Sequence, residues 1–88
     1  MRFKARIEIK LRKEELDPEA ETVRKSLIDL NFSVSHVKLA KVYEITLEAG
    51  SKKDAESAAK LMCTRLLVNP TKDEYKLELI EVGSSARP

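Results

Sequence analysis

The side chains that could carry chemistry are few, and their spacing suits no known reaction. His36 is the only histidine and Cys63 the only cysteine, and no metal-ligand spacing surrounds either of them. A cysteine nucleophile needs a positioned base, and the sequence offers no partner that would orient His36 for that role. We interpret Cys63 as a buried structural thiol, because free cysteine behaves as a small core residue, and His36 as a structural residue of a strand.

Acidic residues cluster around the start of the first predicted helix. They are Glu14, Glu15, Asp17, Glu19 and Glu21. Paired carboxylates can serve acid–base catalysis, but carboxylates also stabilise the positive end of a helix dipole, and we favour that simpler explanation. The chain has two glycines, Gly50 and Gly83, and neither belongs to a glycine-rich phosphate loop. No reaction can be named from these residues.

Composition narrows the class of protein. The chain has 88 residues, which is enough for one domain; we assign it to residues 1–82 and residues 83–88 to a flexible tail. Basic and acidic residues number 17 and 15 and are interspersed, so the net charge does not indicate nucleic acid. A single cysteine fits a reducing cytosol. Residues 1–11 alternate charged and apolar side chains, which is typical of neither a signal peptide nor a membrane anchor.

Periodicity predicts the elements that hold these side chains. Residues 2–11 alternate strictly and predict a strand with one buried face; its apolar members are Phe3, Ala5, Ile7, Ile9 and Leu11. Asp17 can cap a first helix that Pro18 begins and that ends near Asn31. The apolar stripe of that helix is Ala20, Val23, Leu27 and Leu30.

The second half of the chain repeats this organisation. Residues 34–39 and 42–49 predict two strands, joined by a tight hairpin at Ala40 and Lys41. A second helix follows Ser51 and ends before Pro70; its apolar stripe is Ala55, Ala58, Ala59, Met62, Leu66 and Leu67. Tyr75, Leu77 and Leu79 alternate with charged residues in a last strand.

The order βαββαβ predicts an α+β, ferredoxin-like sandwich, with a four-stranded antiparallel sheet and both helices on one face. The other face would be polar and could form charge pairs between adjacent strands. Its residues are Lys4, Arg6, Glu8, Glu44, Thr46, Glu48, Lys76 and Glu78.

Three stretches of sequence together resemble the PurS family of small synthase subunits. Leu16, Asp17 and Pro18 resemble the LDP motif of that family. Residues 37–44 resemble its V-x-V-G-K-x-x-E hairpin, and residues 62–70 with the following Tyr75 are similar to its M-C-x-x-L-L-A-N-P segment. The chain departs from the family pattern at Ala40, where the family usually has glycine, at Ala20, and at Asn31 followed by Phe32.

The resemblance implies a non-catalytic subunit of phosphoribosylformylglycinamidine synthase, a cytoplasmic ligase of purine biosynthesis. It further implies that the chain forms a homodimer, possibly a tetramer, and bridges a large subunit and a glutaminase subunit while supporting ammonia transfer. ATP and magnesium would be used by the large subunit, and this chain would bind no cofactor, metal, nucleic acid or membrane. The candidate partner contacts are Leu16, Asp17, Pro18, Lys41, Tyr43, Asn69, Pro70 and Tyr75.

Other functions share this architecture. A free-standing dimeric module could sense a metabolite and would then be stabilised by that ligand alone. An RNA-binding sheet needs exposed aromatic residues, whereas Phe3 and Tyr43 alternate with charged residues and are expected to face the core. An acylphosphatase-like hydrolase needs an anion-binding loop after the first strand, and residues 10–14 contain no glycine.

Overall fold

The computed structural model describes residues 1–83. The elements in chain order are strand β1 (Arg2–Leu11), helix α1 (Pro18–Asp29), strand β2 (Ala40–Glu48), helix α2 (Lys52–Met62) and strand β3 (Asp73–Val82); a π-helical turn, Cys63–Leu67, continues α2. The prediction of an α+β fold with two helices is therefore confirmed. Of the predicted tail, residues 84–88 lie outside the described residues.

The sheet is built around its first strand. β1 lies in the centre and pairs antiparallel with β2 on one side and with β3 on the other. Phe3, Ala5, Ile7 and Ile9 are buried, whereas the charged residues between them are partly exposed. The alternation read from the sequence thus gives the buried face correctly, because successive side chains of a strand point to opposite faces.

The prediction of a four-stranded sheet is wrong for the described residues, which contain three strands. The predicted strand at residues 34–39 has no ladder partner, and the predicted hairpin is not formed. Ala40 and Lys41 instead lie within β2, opposite Lys10 and Ile9 of β1. An alternating pattern favours extended backbone, but a strand also needs a neighbour to accept its hydrogen bonds, and local sequence does not supply one.

Both helices begin at the caps predicted for them. Oδ1 of Asp17 accepts hydrogen bonds from the amides of Glu19 at 3.0 Å and Ala20 at 3.3 Å. Oγ of Ser51 accepts from the amide of Asp54 at 3.1 Å. These side chains satisfy amides that have no partner within the helix. α1 ends at Asp29, close to the predicted end near Asn31. Asn31 is the one non-glycine residue with a positive φ (71°) among the described residues.

Helix α2 ends differently from the prediction. Its α-helical part stops at Met62, and the amide of Val68 donates to the carbonyl of Cys63 at 2.9 Å, the i→i+5 bond of a π-helical turn. A π-helical turn contains one residue more than an α-helical turn, which changes the directions of its side chains. Leu66 is 82% exposed, and Leu67 packs against the core. The assignment of Leu66 to the buried stripe is therefore wrong, whereas that of Leu67 is confirmed.

The core lies between α2 and the sheet. α2 packs against β1 and β3, and Ala55, Ala59 and Cys63 are buried there. α1 contributes only Ala20 to the buried residues, while Val23 is 37% and Leu30 66% exposed. The prediction that the stripe of α1 joins the same core is wrong for the single chain. We refer to residues 12–39, which comprise α1 and its flanking segments, as the arm.

Candidate functional site

The sheet topology brings the candidate contact residues to one end of the molecule. At this end, which we call the loop end, β1 finishes and β2 and β3 begin. Ile9 of β1 lies opposite Lys41 of β2 and Tyr75 of β3, and Leu11 lies opposite Asp73. Tyr43 lies opposite Ile7, one row further into the sheet. Residues far apart in the sequence thus meet because both flanking strands run antiparallel to β1.

The LDP motif lies where the arm leaves the loop end. Leu16 is 92% exposed in the loop before α1, Asp17 caps that helix, and Pro18 occupies its first turn, where its missing amide costs nothing. The carbonyl of Pro18 also accepts a hydrogen bond from Oγ1 of Thr22 at 2.9 Å. Asp17 and Pro18 therefore have structural roles, whereas the exposure of Leu16 is not needed for folding.

The loop between the π-helical turn and β3 is held by Asn69. Oδ1 of Asn69 accepts hydrogen bonds from the amides of Thr71 at 2.9 Å and Lys72 at 3.3 Å. Arg12 fixes the same loop to the end of β1 through two hydrogen bonds. Its side-chain Nη2 donates to the carbonyl of Pro70 at 3.1 Å, and its backbone amide donates to the carbonyl of Lys72 at 2.8 Å. Arg12 was not predicted, since nothing in the local sequence distinguishes it from the other basic residues nearby.

Three shallow grooves surround these residues. One of about 330 Å³ includes Asp17, Lys41 and Asp73. A second, of about 600 Å³, lies between α1 and residues 35–39 and includes Leu16, Asp17 and Pro18. The third, of about 330 Å³, includes Arg12, Pro70 and Tyr75. Tyr43 and Asn69 line none of the three. The site is therefore an open surface of mixed charge with exposed apolar residues, as expected for protein contacts.

The one cysteine of the chain lies in the core rather than at this surface. No group of three or more His, Cys, Asp or Glu residues within residues 1–83 could hold a metal ion. Cys63 is fully buried, and burial raises the pKa of its thiol, which keeps it protonated and poorly nucleophilic. The prediction that Cys63 is buried is confirmed. No helix of the described chain is long and apolar enough to span a membrane.

On the face of the sheet that α2 does not cover, charged side chains of adjacent strands form ion pairs, as predicted. Basic residues of β1 pair with acidic residues of both neighbours: Arg2 with Glu48 at 3.0 Å, Lys4 with Glu44 at 3.5 Å, Arg6 with Glu78 at 3.9 Å and Lys10 with Glu74 at 3.8 Å. Tyr43 and Tyr75 lie on the other, helix-covered face, in register with Ile7 and Ile9. The charged face thus lacks the aromatic platform that RNA-binding sheets use.

Comparison with known proteins assigns the family. The family model described as "PurS: Phosphoribosylformylglycinamidine (FGAM) synthase" matches residues 4–81. The chain belongs to this family. The PurS subunit of Methanothermobacter thermautotrophicus is 32% identical over 82 residues, which cover 93% of this chain and 98% of that protein. The Bacillus subtilis PurS subunit is 31% identical over 81 residues, covering 91% and 95%.

Solved structures of the PurS family have the same fold. Thermus thermophilus PurS is 38% identical and superposes with a TM-score of 0.81, covering 94% of this chain and all of that one. A chain in the structure of PurLQS from Thermotoga maritima is 31% identical and has a TM-score of 0.83, with coverage of 91% and 99%. The likeness includes the arm, which is 28 of the 88 residues. The remaining residues are too small a share of the chain to give a TM-score of 0.83 and a coverage of 91% without it.

Proposed function

We propose that this chain is the small, non-catalytic subunit of a phosphoribosylformylglycinamidine synthase of purine biosynthesis. The observation that supports this most is the match along almost the whole chain to relatives named as the PurS subunit of that synthase. The likeness to a PurS-family chain in a PurLQS structure further supports a role within an assembly of several subunits.

In this role the chain bridges a large subunit and a glutaminase subunit. The assembled enzyme converts formylglycinamide ribonucleotide, glutamine and ATP to formylglycinamidine ribonucleotide, glutamate, ADP and phosphate. The large subunit uses ATP and magnesium, the glutaminase releases ammonia, and this chain, as a homodimer in the cytoplasm, holds the two together and supports ammonia transfer. A bridging subunit needs surfaces rather than nucleophiles, and it binds no cofactor itself.

The loop end is the proposed contact surface for these partners. It gathers the eight candidate residues, three of which keep the loops in shape through hydrogen bonds: Asp17, Asn69 and Pro70. Leu16 and Leu66 expose large apolar side chains, at 92% and 82%, and burying them against a partner would stabilise the contact. Exposed apolar residues on hydrogen-bonded loops are well suited to recognition without rearrangement.

Reconstitution tests this function. The chain is mixed with the large and glutaminase subunits of the same genome, and glutamine-dependent amidine formation is followed. We expect activity only when all three are present. In Leu16→Ala, the concentration of this chain needed for half-maximal activity should rise about fivefold or more, as for the loss of about 1 kcal/mol at an interface.

Ile80→Ala is a matched control, since it removes a similar side chain. Ile80 is 57% exposed on β3, opposite Lys4 and far from the loop end. This variant should reconstitute like the wild type. Full activity of the two other subunits without this chain would contradict the proposed role, whereas equal effects of the two variants would contradict only the placement of the contact surface.

The alternative of a free-standing metabolite sensor is not favoured by the comparisons. It predicts that an amino acid or nucleotide raises the melting temperature of the isolated chain. We expect no such shift, because the three grooves are open and none contains a buried polar group aimed at a ligand in residues 1–83.

A further inference from the structure

Arg12 connects two loops of the loop end that are distant in the sequence. Its side chain donates a hydrogen bond to the carbonyl of Pro70, 58 residues further along the chain, at 3.1 Å. Its backbone amide donates to the carbonyl of Lys72 at 2.8 Å. One residue of the segment after β1 therefore holds the loop before β3 at two points.

The same residue shapes the loop that leads to the LDP motif. The carbonyl of Arg12 accepts a hydrogen bond from the amide of Glu15 at 2.9 Å, which closes a four-residue turn. Leu16 follows directly and is 92% exposed. Hydrogen bonds thus run from the loop of Pro70 through Arg12 to the residue before Leu16, and the two loops cannot move apart without breaking them.

The charge of Arg12 is used differently from that of the basic residues in β1. Those residues form ion pairs with glutamates of the neighbouring strands, whereas the ion pairs within residues 1–83 do not include Arg12. Arg12 is half-buried and donates to a backbone carbonyl instead. A hydrogen bond from a charged donor is stronger than one between neutral groups, so this side chain is well suited to holding a loop.

The loop that Arg12 holds carries candidate contact residues. Arg12, Pro70 and Tyr75 line the same groove of about 330 Å³, and Tyr75 is 40% exposed. Asn69 precedes Pro70 and bonds the amides of the next two residues with its side chain. The position of these groups relative to Leu16 therefore depends on Arg12.

We propose that Arg12 is a positioning residue for the binding of the partner subunits. It holds the loop of Asn69 and Pro70 at a fixed distance from the loop of Leu16, so that both meet a partner as one ordered surface. The inference rests on the proposed function and adds to it a residue that acts through these loops. Because a loop ordered in advance loses less conformational entropy on binding, Arg12 affects the affinity for the partners and not the rate of the assembled enzyme.

Replacement of Arg12 by methionine tests this role. Arg12→Met keeps a long unbranched side chain but removes the donor to Pro70. In the reconstituted synthase, the concentration of this chain needed for half-maximal activity should rise about fivefold or more, as for the loss of one hydrogen bond. Activity at saturating concentration should equal that of the wild type. Lys13→Met is the matched control, because it removes the same charge at the neighbouring exposed position, and it should behave like the wild type.

Hydrogen exchange in the isolated chain separates positioning from direct contact. The amides of Thr71 and Lys72, which donate to Oδ1 of Asn69, report on the order of the loop. In Arg12→Met they should exchange about fivefold faster. The amide of Glu19, which the cap of α1 protects, should exchange at the wild-type rate.

Arg12→Lys is a second variant, which keeps the charge and one donor group. Its half-maximal concentration and its exchange rates in the loop should both lie between those of the wild type and Arg12→Met. The double variant Arg12→Met with Asn69→Ala adds a further test. Its half-maximal concentration should rise by less than the product of the two single effects, because both substitutions loosen the same loop. A rise equal to that product would contradict a shared action.

Each contrary result has a distinct meaning. Faster exchange with an unchanged half-maximal concentration would show that Arg12 only stabilises the loop, and would overturn the inference. Weaker reconstitution with wild-type exchange rates would show that Arg12 contacts a partner directly, which would also overturn it. Lower activity at saturation would assign its effect to the reaction instead of to assembly. If the wild-type chain itself supported no activity, the proposed function would fail, and this inference with it.

Discussion

Asn69 and Asp73 stand at the two ends of the loop that leads into β3, and two hydrogen bonds join them. The amide of Asn69 donates to Oδ2 of Asp73 at 2.9 Å, and the amide of Asp73 donates to the carbonyl of Asn69 at 2.8 Å. With Oδ1 of Asn69 accepting from Thr71 and Lys72, this loop has little freedom. A surface that is already ordered loses less entropy when a partner binds.

Asp73→Ala should therefore loosen the loop without unfolding the chain. It removes one side-chain hydrogen bond, which contributes about 1 kcal/mol, and the exposed amide of Asn69 can turn to water. We expect a free energy of unfolding lower by about that amount in urea titrations, and weaker reconstitution of synthase activity. Asp73→Asn keeps an acceptor oxygen and serves as the control. Reconstitution of Asp73→Ala at wild-type concentrations would show that loop order does not matter for assembly.

The capping of α1 by Asp17 gives a second prediction. Asp17→Ala leaves the amides of Glu19 and Ala20 without their partner and should cost about 1 kcal/mol of helix stability. Hydrogen exchange at these two amides should accelerate. Asp17→Asn retains the cap acceptor and should exchange nearly like the wild type. If alanine and asparagine behaved alike, a cap role for this side chain would be excluded, and a charge contact with a partner would have to explain its place in the motif.

Most local features of the fold could be predicted from the sequence. The alternation in β1, the caps Asp17 and Ser51, and the end of α1 close to Asn31 all depend on neighbours in the chain. The partner of residues 34–39 could not be predicted, because strand pairing is decided by which edge is available rather than by the alternating pattern. In the single chain, residues 34–39 pair with no edge of the sheet. Ala40 and Lys41, predicted to form a hairpin, belong to β2 instead.

For the candidate site, the sequence supplied a set of residues but not their arrangement in space, and their role as partner contacts stays a prediction. The motifs identified eight positions, and the antiparallel register of β1 with both neighbours then placed Lys41 and Tyr75 on either side of Ile9. Arg12 and the exposed Leu66 were missed. Arg12 acts through a hydrogen bond to Pro70, which is distant in the sequence. The exposure of Leu66 depends on a π-helical turn that cannot be predicted from the residue types at positions 63–67.

Burial of Cys63 predicts a specific pH dependence. Because burial raises the pKa of the thiol in the folded chain, the folded state keeps its proton above about pH 8.5, where an unfolded cysteine begins to lose it. The free energy of unfolding should then fall as pH rises from that value towards the folded pKa, by at most about 1.4 kcal/mol per pH unit. Below about pH 7.5, a unit under the ordinary pKa of the thiol, the unfolded cysteine is protonated as well, and the contribution is complete and nearly constant.

Urea titrations at several alkaline pH values, with Cys63→Ala as the control, measure this effect. The control loses some packing at every pH but should lack the thiol-dependent slope, so the difference between the two chains narrows as pH rises. A thiol reagent at neutral pH should also react only after unfolding. Rapid reaction of the folded wild type would contradict the buried, protonated thiol.

The geometry of the π-helical turn predicts that alanine substitutions of two neighbouring leucines lower the free energy of unfolding by very different amounts. Leu67 packs against the cluster of Ile7, Ile9 and Cys63, whereas Leu66 is 82% exposed. Leu67→Ala should lower the free energy of unfolding by about 2 kcal/mol, because it leaves a cavity in a small core, and Leu66→Ala should change it by less than about 0.5 kcal/mol. A regular α-helix through residue 66 would give the reverse order, so urea titrations of the pair discriminate between the two geometries. If Leu66→Ala folds normally but reconstitutes synthase activity poorly, its side chain is exposed for a partner, and the turn serves to present it.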